Sequence, residues 1–261
     1  MHELYCIGHL AEFAVAYHAL TGSSDLIDVV RRFVLLLHKT IIPKGGYPGH
    51  EEMELALIRV FEVTGDTLFL DTAGFFVRER GQKDGEDRTF YDRETIARGQ
   101  DPNINYGVPW SGASARDYSH LQAHAPITEQ KEVAGHSVRA VYFLTGALHH
   151  ALLKPSESGD IRQALSTLFS NMVNKKMYIT GGLGSVASQE AFGPDYWLPD
   201  SREARGCYSE TCASFGLVML CERFLREGLK GQYADIMERA LFNCFLGSLG
   251  ADGMFPPLAL P

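Results

Sequence analysis

The chain has 261 residues, 45% apolar and 21% charged, the balance of a globular protein with room for one large domain or two small ones. Its net charge of −8 argues against nucleic acid or an anionic membrane as the partner and leaves a neutral one, such as a sugar, open. No apolar run reaches the ~18 residues of a membrane span, and five scattered cysteines make no disulfide framework, so a reducing compartment, the cytoplasm, is expected.

Residues 3–20 place Leu10, Phe13, Ala14, Tyr17 and Leu20 at helical spacing, and Thr21-Gly22 closes that helix. Ser23-Ser24-Asp25 caps a second helix over 26–38, with Val29, Val30, Phe33, Val34 and Leu37 as its buried stripe. After a Pro/Gly loop at 43–48 the pattern repeats. Gly49-His50 opens a helix carrying Met53, Leu55, Leu57, Ile58 and Phe61, Thr64-Gly65-Asp66 ends it, and 68–80 is the return helix.

A third copy begins at Gly135-His136 and returns over 158–173, and a fourth begins near Glu210 and returns over 232–246. Four hairpins of roughly forty residues, with almost no strand signal, predict an all-α fold: a helical repeat array or an α/α toroid. Two long inserts, 81–131 and 175–208, fall between hairpins, where loops gather at one rim. His149 and His150, late in their helix, read as structural, with the imidazolium form favoured by the helix dipole.

The repeated Gly-His is informative. His9, His50 and His136 each occupy the start of the first helix of a hairpin, so a ring of such helices brings three imidazoles to one rim. Glycine before each suits close backbone approach, and an imidazole there can hydrogen-bond hydroxyl groups. His18, His120 and His124 lack this logic and read as structural. In the first insert Tyr106, Trp110, Tyr118, Asn103, Asn105 and Gln122 are what a sugar site uses, and equally what an ordered surface loop uses.

The stretch 178–214 breaks the helical pattern with glycines, prolines and aromatics. Glu190 is placed there as a proton donor. Glu210 and Cys212, two residues apart, are a carboxylate and a thiol, both normal zinc donors. The alternatives are a charge at the N-terminus of the following helix and a small core residue; a closed zinc site needs four donors. Cys221 and Cys244 lie in apolar helical patterns and read as core.

The segments YITGGLGS, QEAFGPDYWLP and YSETCAS, with the three Gly-His pairs and QAHAPITEQKEVAGHSVRAVY, resemble glycoside hydrolase family 127 over essentially the whole chain. The resemblance implies an (α/α)6 barrel of twelve helices followed by β-sandwich domains, and a β-L-arabinofuranosidase acting at non-reducing ends. It implies retention through a zinc-bound cysteine nucleophile, with Glu190 as general acid/base, Glu210 and Cys212 as zinc ligands, and His9, His50 and His136 against the sugar. The remaining zinc ligands of that family are an adjacent Cys-Cys pair, one of them the nucleophile, and no two cysteines here are adjacent. The expectation is therefore a partial (α/α)6 domain with about eight of the twelve helices and no sandwich. It carries two of the four zinc ligands and turns over no substrate by itself. Competing readings are another α/α-barrel sugar enzyme (an epimerase or uronyl hydrolase, using histidine or aspartate acids), a helical scaffold, or a relative that binds sugar without cleaving it.

Overall fold

A computed structural model describes residues 2–104, 114–199 and 207–250. Nine α-helices and no strand occur among the described residues, an all-α fold as expected. The hairpins are α1 (Glu3–Thr21) with α2 (Asp25–Thr40), α3 (Met53–Thr64) with α4 (Thr67–Glu79), α6 (Ser137–Leu153) with α7 (Gly159–Lys175), and α8 (Thr211–Glu227) with α9 (Gly231–Arg239). The short α5 (Phe90–Ala97) lies inside the first insert. The first helices pack side by side in the order α1, α3, α6, α8, and each is backed by its return helix.

Glycines end the first and third helices. Gly22 and Gly65 take left-handed conformations and return their N–H groups to His18 O and Phe61 O at 2.8 and 2.7 Å. Asp66 caps α4 by accepting from Leu68 N–H at 3.1 Å. The cap expected of Ser24 is absent; Ser23 Oγ instead accepts from Asp25 N–H at 3.2 Å, which closes the turn before α2.

Close helix approach along the inner row depends on missing side chains. A Cβ on Gly8 would lie 2.5 Å from Glu52 Cγ, and one on Gly146 would lie 2.9 Å from Glu54 Cβ. On α8, Gly216 stands against Val141 of α6 in the same way. α6 buries 14 of its 17 residues and is therefore packed on all sides, with α3 and α8 as its flanks. Among the described residues, α3 is the one helix of the inner row that packs closely on α1. Its buried face is Gly8, Ala11, Ala14 and Val15, while Phe13 and Leu20, expected in its stripe, are exposed.

Two apolar clusters fill the body, one among α1–α4 (Val34, Leu57, Phe69, Phe76) and one among α6–α8 (Phe143, Leu148, Leu165, Leu217). Between them sits a buried ion group. Arg80, fully buried, reaches Glu51 Oε1 at 2.9 Å and Glu54 Oε1 at 2.8 Å, and donates to Pro48 O and Leu121 O at 2.8 and 2.9 Å. Its guanidinium also lies 4.9 Å from the Tyr47 ring and 5.3 Å from Phe143. One side chain thus joins α4, the loop before α3, the start of α3 and the first insert. His149 and His150 are buried, and burial pushes His149 down and His150 down to about 4. Both rings are neutral at pH 7, because desolvation outweighs the helix dipole that was expected to favour the imidazolium.

The first insert is held by Asp92 as well as by Arg80. Asp92 forms a capping box with Thr89 at the start of α5, and accepts from Tyr118 OH at 2.6 Å and Arg116 Nε at 3.1 Å. Tyr118 is thereby spent on the loop itself. So are Gln122, donating to Ala134 O at 2.8 Å, and Asn103, bonded to Asp101. Asn105, Tyr106 and Trp110 lie outside the described residues.

Candidate active site

The N-terminal ends of α3, α6 and α8, with one face of α1, meet the second insert at one rim. Backbone bonds lay the insert onto α6. Ser137 N–H and Oγ–H both donate to Glu190 O, at 2.9 and 3.0 Å, and Phe192 N–H donates to Gly135 O at 2.9 Å. Glu190 is held in the left-handed region, with φ of +53°, a conformation that costs a non-glycine residue ~1–3 kcal/mol and persists only when its surroundings impose it. Gly135, φ +69°, lies so close to the backbone of Ser119 that a Cβ would collide with the carbonyl. Farther along, Ser209 N–H donates to Gly184 O at 2.8 Å and sets the strand of chain that leads into Glu210.

The side chains on these supports make a connected group. His136 caps α6: its Nδ1 accepts from Val138 N–H at 3.2 Å. A neutral ring that accepts at Nδ1 carries its proton on Nε2, and Nε2 is 2.8 Å from Glu190 Oε2. Burial, and then the Arg139 charge, push His136 down to about 3, so the ring is neutral and the contact is an N–H donated to Glu190 Oε2 rather than an ion pair. Tyr208 OH reaches the other oxygen, Glu190 Oε1, at 3.4 Å. The same hydroxyl is bonded to Glu210, whose carboxyl is pushed up by burial. Cys212 Sγ stands 3.4 Å from Glu210 Oε2.

The other two expected histidines continue the rim. His50 Nδ1 donates to Glu51 O at 3.0 Å, which leaves Nε2 as an acceptor; burial and then Arg139 push this ring down to about 3 as well. His50 is 5.8 Å from His136 by ring centroids, and Tyr5 lies 4.4 Å from both His50 and His9. His9 is well inside α1 rather than at its start, half-exposed, with Nδ1 3.3 Å from Glu52 Oε1. The three Gly-His pairs therefore do reach one rim, but only His50 and His136 do so from helix starts.

Five further residues belong here. Tyr5 is one helical turn before His9, a spacing visible in the sequence once His9 is chosen. His120, read as structural, is buried with its ring 5.1 Å from His136 and its Nε2 unpartnered among the described residues. Glu52, Tyr142 and Tyr208 carried no signal apart from their nearness to His50, His136 and Glu210. Cys221 is core, as expected; Cys244 is only half-buried and accepts from Ser214 Oγ at 3.0 Å.

His136, Glu190 and Glu210 offer ligand atoms within 4.8 Å of one another and so could hold a metal ion. For His136 to join, its Nε2 proton would have to leave and the bond to Glu190 break.

The comparisons with known proteins bear on this arrangement. The model of the β-L-arabinofuranosidase catalytic domain of glycoside hydrolase family 127 matches residues 1–255. The chain belongs to glycoside hydrolase family 127. It is 34% identical over 256 residues to a non-reducing end β-L-arabinofuranosidase of Bifidobacterium longum, covering 97% of this chain and 36% of that protein. Among solved structures it is similar to a family 127 β-L-arabinofuranosidase of Geobacillus stearothermophilus, at 39% identity and a TM-score of 0.83, and to another family 127 β-arabinofuranosidase at 32% and 0.74. Both likenesses cover 97% of this chain, and 38% and 34% of those chains. The chain thus spans a little over a third of the length of the family 127 proteins it matches.

The titrating groups give a stability profile. His50, His120, His136 and His150 are pushed below the ordinary histidine value, to about 3 or 4. Their contribution is complete above pH ~6.5 and is lost as pH falls towards those values. Glu52, pushed up to about 9 by burial, acts oppositely: its contribution is lost as pH rises from ~4.5 to 9. His149, also down to about 4, joins the first set and Glu51, up to about 8, joins Glu52, so five groups oppose two and maximal stability falls near neutral pH. Melting temperatures measured from pH 4 to 9 are expected to fall more steeply on the acid side.

Proposed function

We propose that this chain supplies the proton-transferring and metal-binding wall of a retaining glycosidase that releases β-L-arabinofuranose from non-reducing ends. The carrying observation is the pairing of Glu190 with His136 beside Glu210 and Cys212 on one rim. Its eight hairpin helices are read as part of a twelve-helix (α/α)6 barrel, with residues 81–131 and 175–208 as rim inserts. A reducing, cytoplasmic setting suits the sparse cysteines and the accessible Cys212 thiol.

Glu190 has the proton-transfer role. Its Oε2 is held by the His136 N–H and its Oε1 by Tyr208, so the carboxyl group is oriented without being neutralised by a cation. In the first half of a retaining reaction it gives its proton to the leaving glycosidic oxygen; in the second it takes one from water. His50, whose Nε2 is an acceptor with no partner among the described residues, and His9 would bind hydroxyl groups of the sugar, while His136, with both nitrogens engaged, would lie beside it and orient Glu190. The nucleophile implied by the family resemblance belongs to an adjacent cysteine pair, which has no counterpart among the 261 residues.

The donor set fits zinc. Burial, and then the neighbouring Glu210 carboxylate, push the Cys212 thiol up to about 12, although the residue is open to solvent on one side. A carboxylate and a sulfur in contact need a proton or a cation between them, and both are ordinary zinc donors. Zinc bound there would keep thiolate sulfur deprotonated at neutral pH. Glu210 and Cys212 are the residues that would hold it. Two donors predict weak binding, and a zinc titration followed by calorimetry reads it. Glu210→Ala and Cys212→Ser are each expected to lower the affinity at least ~10-fold, and Glu190→Gln to leave it unchanged. An equal loss in Glu190→Gln would move the metal to the His136, Glu190 and Glu210 group.

A further inference from the structure

Glu52 has no part in proton transfer or metal binding, yet its placement is unusual. It stands at the N-cap of α3 and does not cap that helix. Its side chain instead crosses α1 over Gly8, the position where a Cβ would meet Glu52 Cγ at 2.5 Å. The residue is 2% exposed, and its one polar contact among the described residues is His9 Nδ1, 3.3 Å from Oε1. The arginines nearby are committed elsewhere: Arg80 to Glu51 and Glu54, and Arg59 to Glu12 at 2.5 Å. Tyr5 and Tyr142, which flank His50, both lie within the electrostatic reach of Glu52.

We propose that Glu52 is a specificity-determining residue whose carboxyl group hydrogen-bonds a hydroxyl of the pentose at the His9–Tyr5–His50 end of the rim. The inference rests on the arabinofuranosidase reading of the site and adds a residue and a role to it. A buried carboxyl without a cation is stable as the neutral acid. Burial, reinforced by Glu12 and Glu54 and only weakly opposed by Arg59, pushes this one up to about 9. His9, pushed down by burial, supplies no compensating charge at neutral pH. A neutral acid both donates and accepts, which matches a sugar hydroxyl, itself a donor and an acceptor. A ligand lacking that hydroxyl would leave the acid with His9 as its one partner and its second oxygen unsatisfied, which is how polar pockets reject close analogues. The alternative, that Glu52 serves only to seat α1 on α3, requires no donor at its end.

The test is the binding of methyl β-L-arabinofuranoside to the 261-residue chain, followed by ligand- and protein-observed NMR. The wild-type chain is expected to bind it and to discriminate against the 2-deoxy or 3-deoxy analogue. Glu52→Gln, which keeps a donor and an acceptor, should bind within about 3-fold of wild type, and Glu52→Met, similar in shape but apolar, at least ~10-fold more weakly with a melting temperature no lower than that of the wild type. Glu52→Ala is the second variant should methionine disturb the packing at Gly8. Equal binding by the wild type and by Glu52→Met or Glu52→Ala overturns the inference alone, as does a loss in Glu52→Gln as large as in Glu52→Met. A wild-type chain that binds no arabinofuranoside overturns the functional reading, and the inference falls with it.

Discussion

Replacing Arg80 by methionine is expected to destabilise the chain by ~3–5 kcal/mol, the usual result of removing one partner from a buried ion group. Methionine restores much of the volume but leaves Glu51 and Glu54 without a cation, both fully buried. It also removes the donor to Leu121 O and the shorter of two bonds to Pro48 O, which Tyr91 OH also reaches at 3.4 Å. Equilibrium unfolding in urea, read by circular dichroism, measures the loss. Replacing Arg80, Glu51 and Glu54 together by apolar residues should recover part of it, because the cost arises from the stranded carboxyl groups rather than from the absent pair. Arg80 also holds the loop before α3 against the first insert, so the single variant should loosen His50 and His120 first. Faster amide exchange over 47–52 and 119–123 than in α7 would show this.

The second large effect concerns chemistry. In any polypeptide that carries this chain and hydrolyses an aryl β-L-arabinofuranoside, Glu190→Gln is expected to lower kcat by ~10²–10⁴-fold, the usual contribution of a positioned acid/base group. The loss should be smaller for an aryl leaving group of low pKa, which departs without help. Protein stability should change little, since the Glu190 side chain is half-exposed. The main-chain anchors of the loop at Gly135 and Ser137 remain in the variant. Equal kcat for wild type and variant would remove Glu190 from the proton-transfer role. His136→Phe is the companion variant. It deletes the donor to Oε2, and its effect should appear in the pH profile of kcat as well as in its size.

Much of this architecture is legible in the residues, and the exceptions have physical causes. Helix hairpins, glycine stops and repeated Gly-His pairs are local signals, and they place α1–α4 and α6–α8 to within a few residues; the last return helix, expected over 232–246, is α-helical only to Arg239 and continues as a π-helix over Ala240–Phe245. The face of α1 is not local. Phe13 and Leu20 fit a helical stripe, but a helix with one close inner neighbour among the described residues buries only the narrow side of small residues that this neighbour covers. Glu190, Glu210 and Cys212 can be picked out because they interrupt a helical pattern. Tyr208 and Glu52 cannot, because what matters is where the supporting backbone directs them. The charge state of His149 and His150 is also a tertiary property: a helix end favours the imidazolium, and burial reverses it. Arg80 is the extreme case, since nothing in its neighbours along the chain foretells four partners from three other segments.

The Val138 amide that bonds His136 Nδ1 ties two events together. As long as the first turn of α6 is wound, the imidazole has one place for its proton, and that place faces Glu190. If the turn unwinds, the proton can settle on either nitrogen, and the acid loses its fixed neighbour. Winding of a single helical turn thus acts as a latch on the proton inventory of the site. The ¹⁵N–¹H signal of Val138 would report the state of that latch without any substrate present.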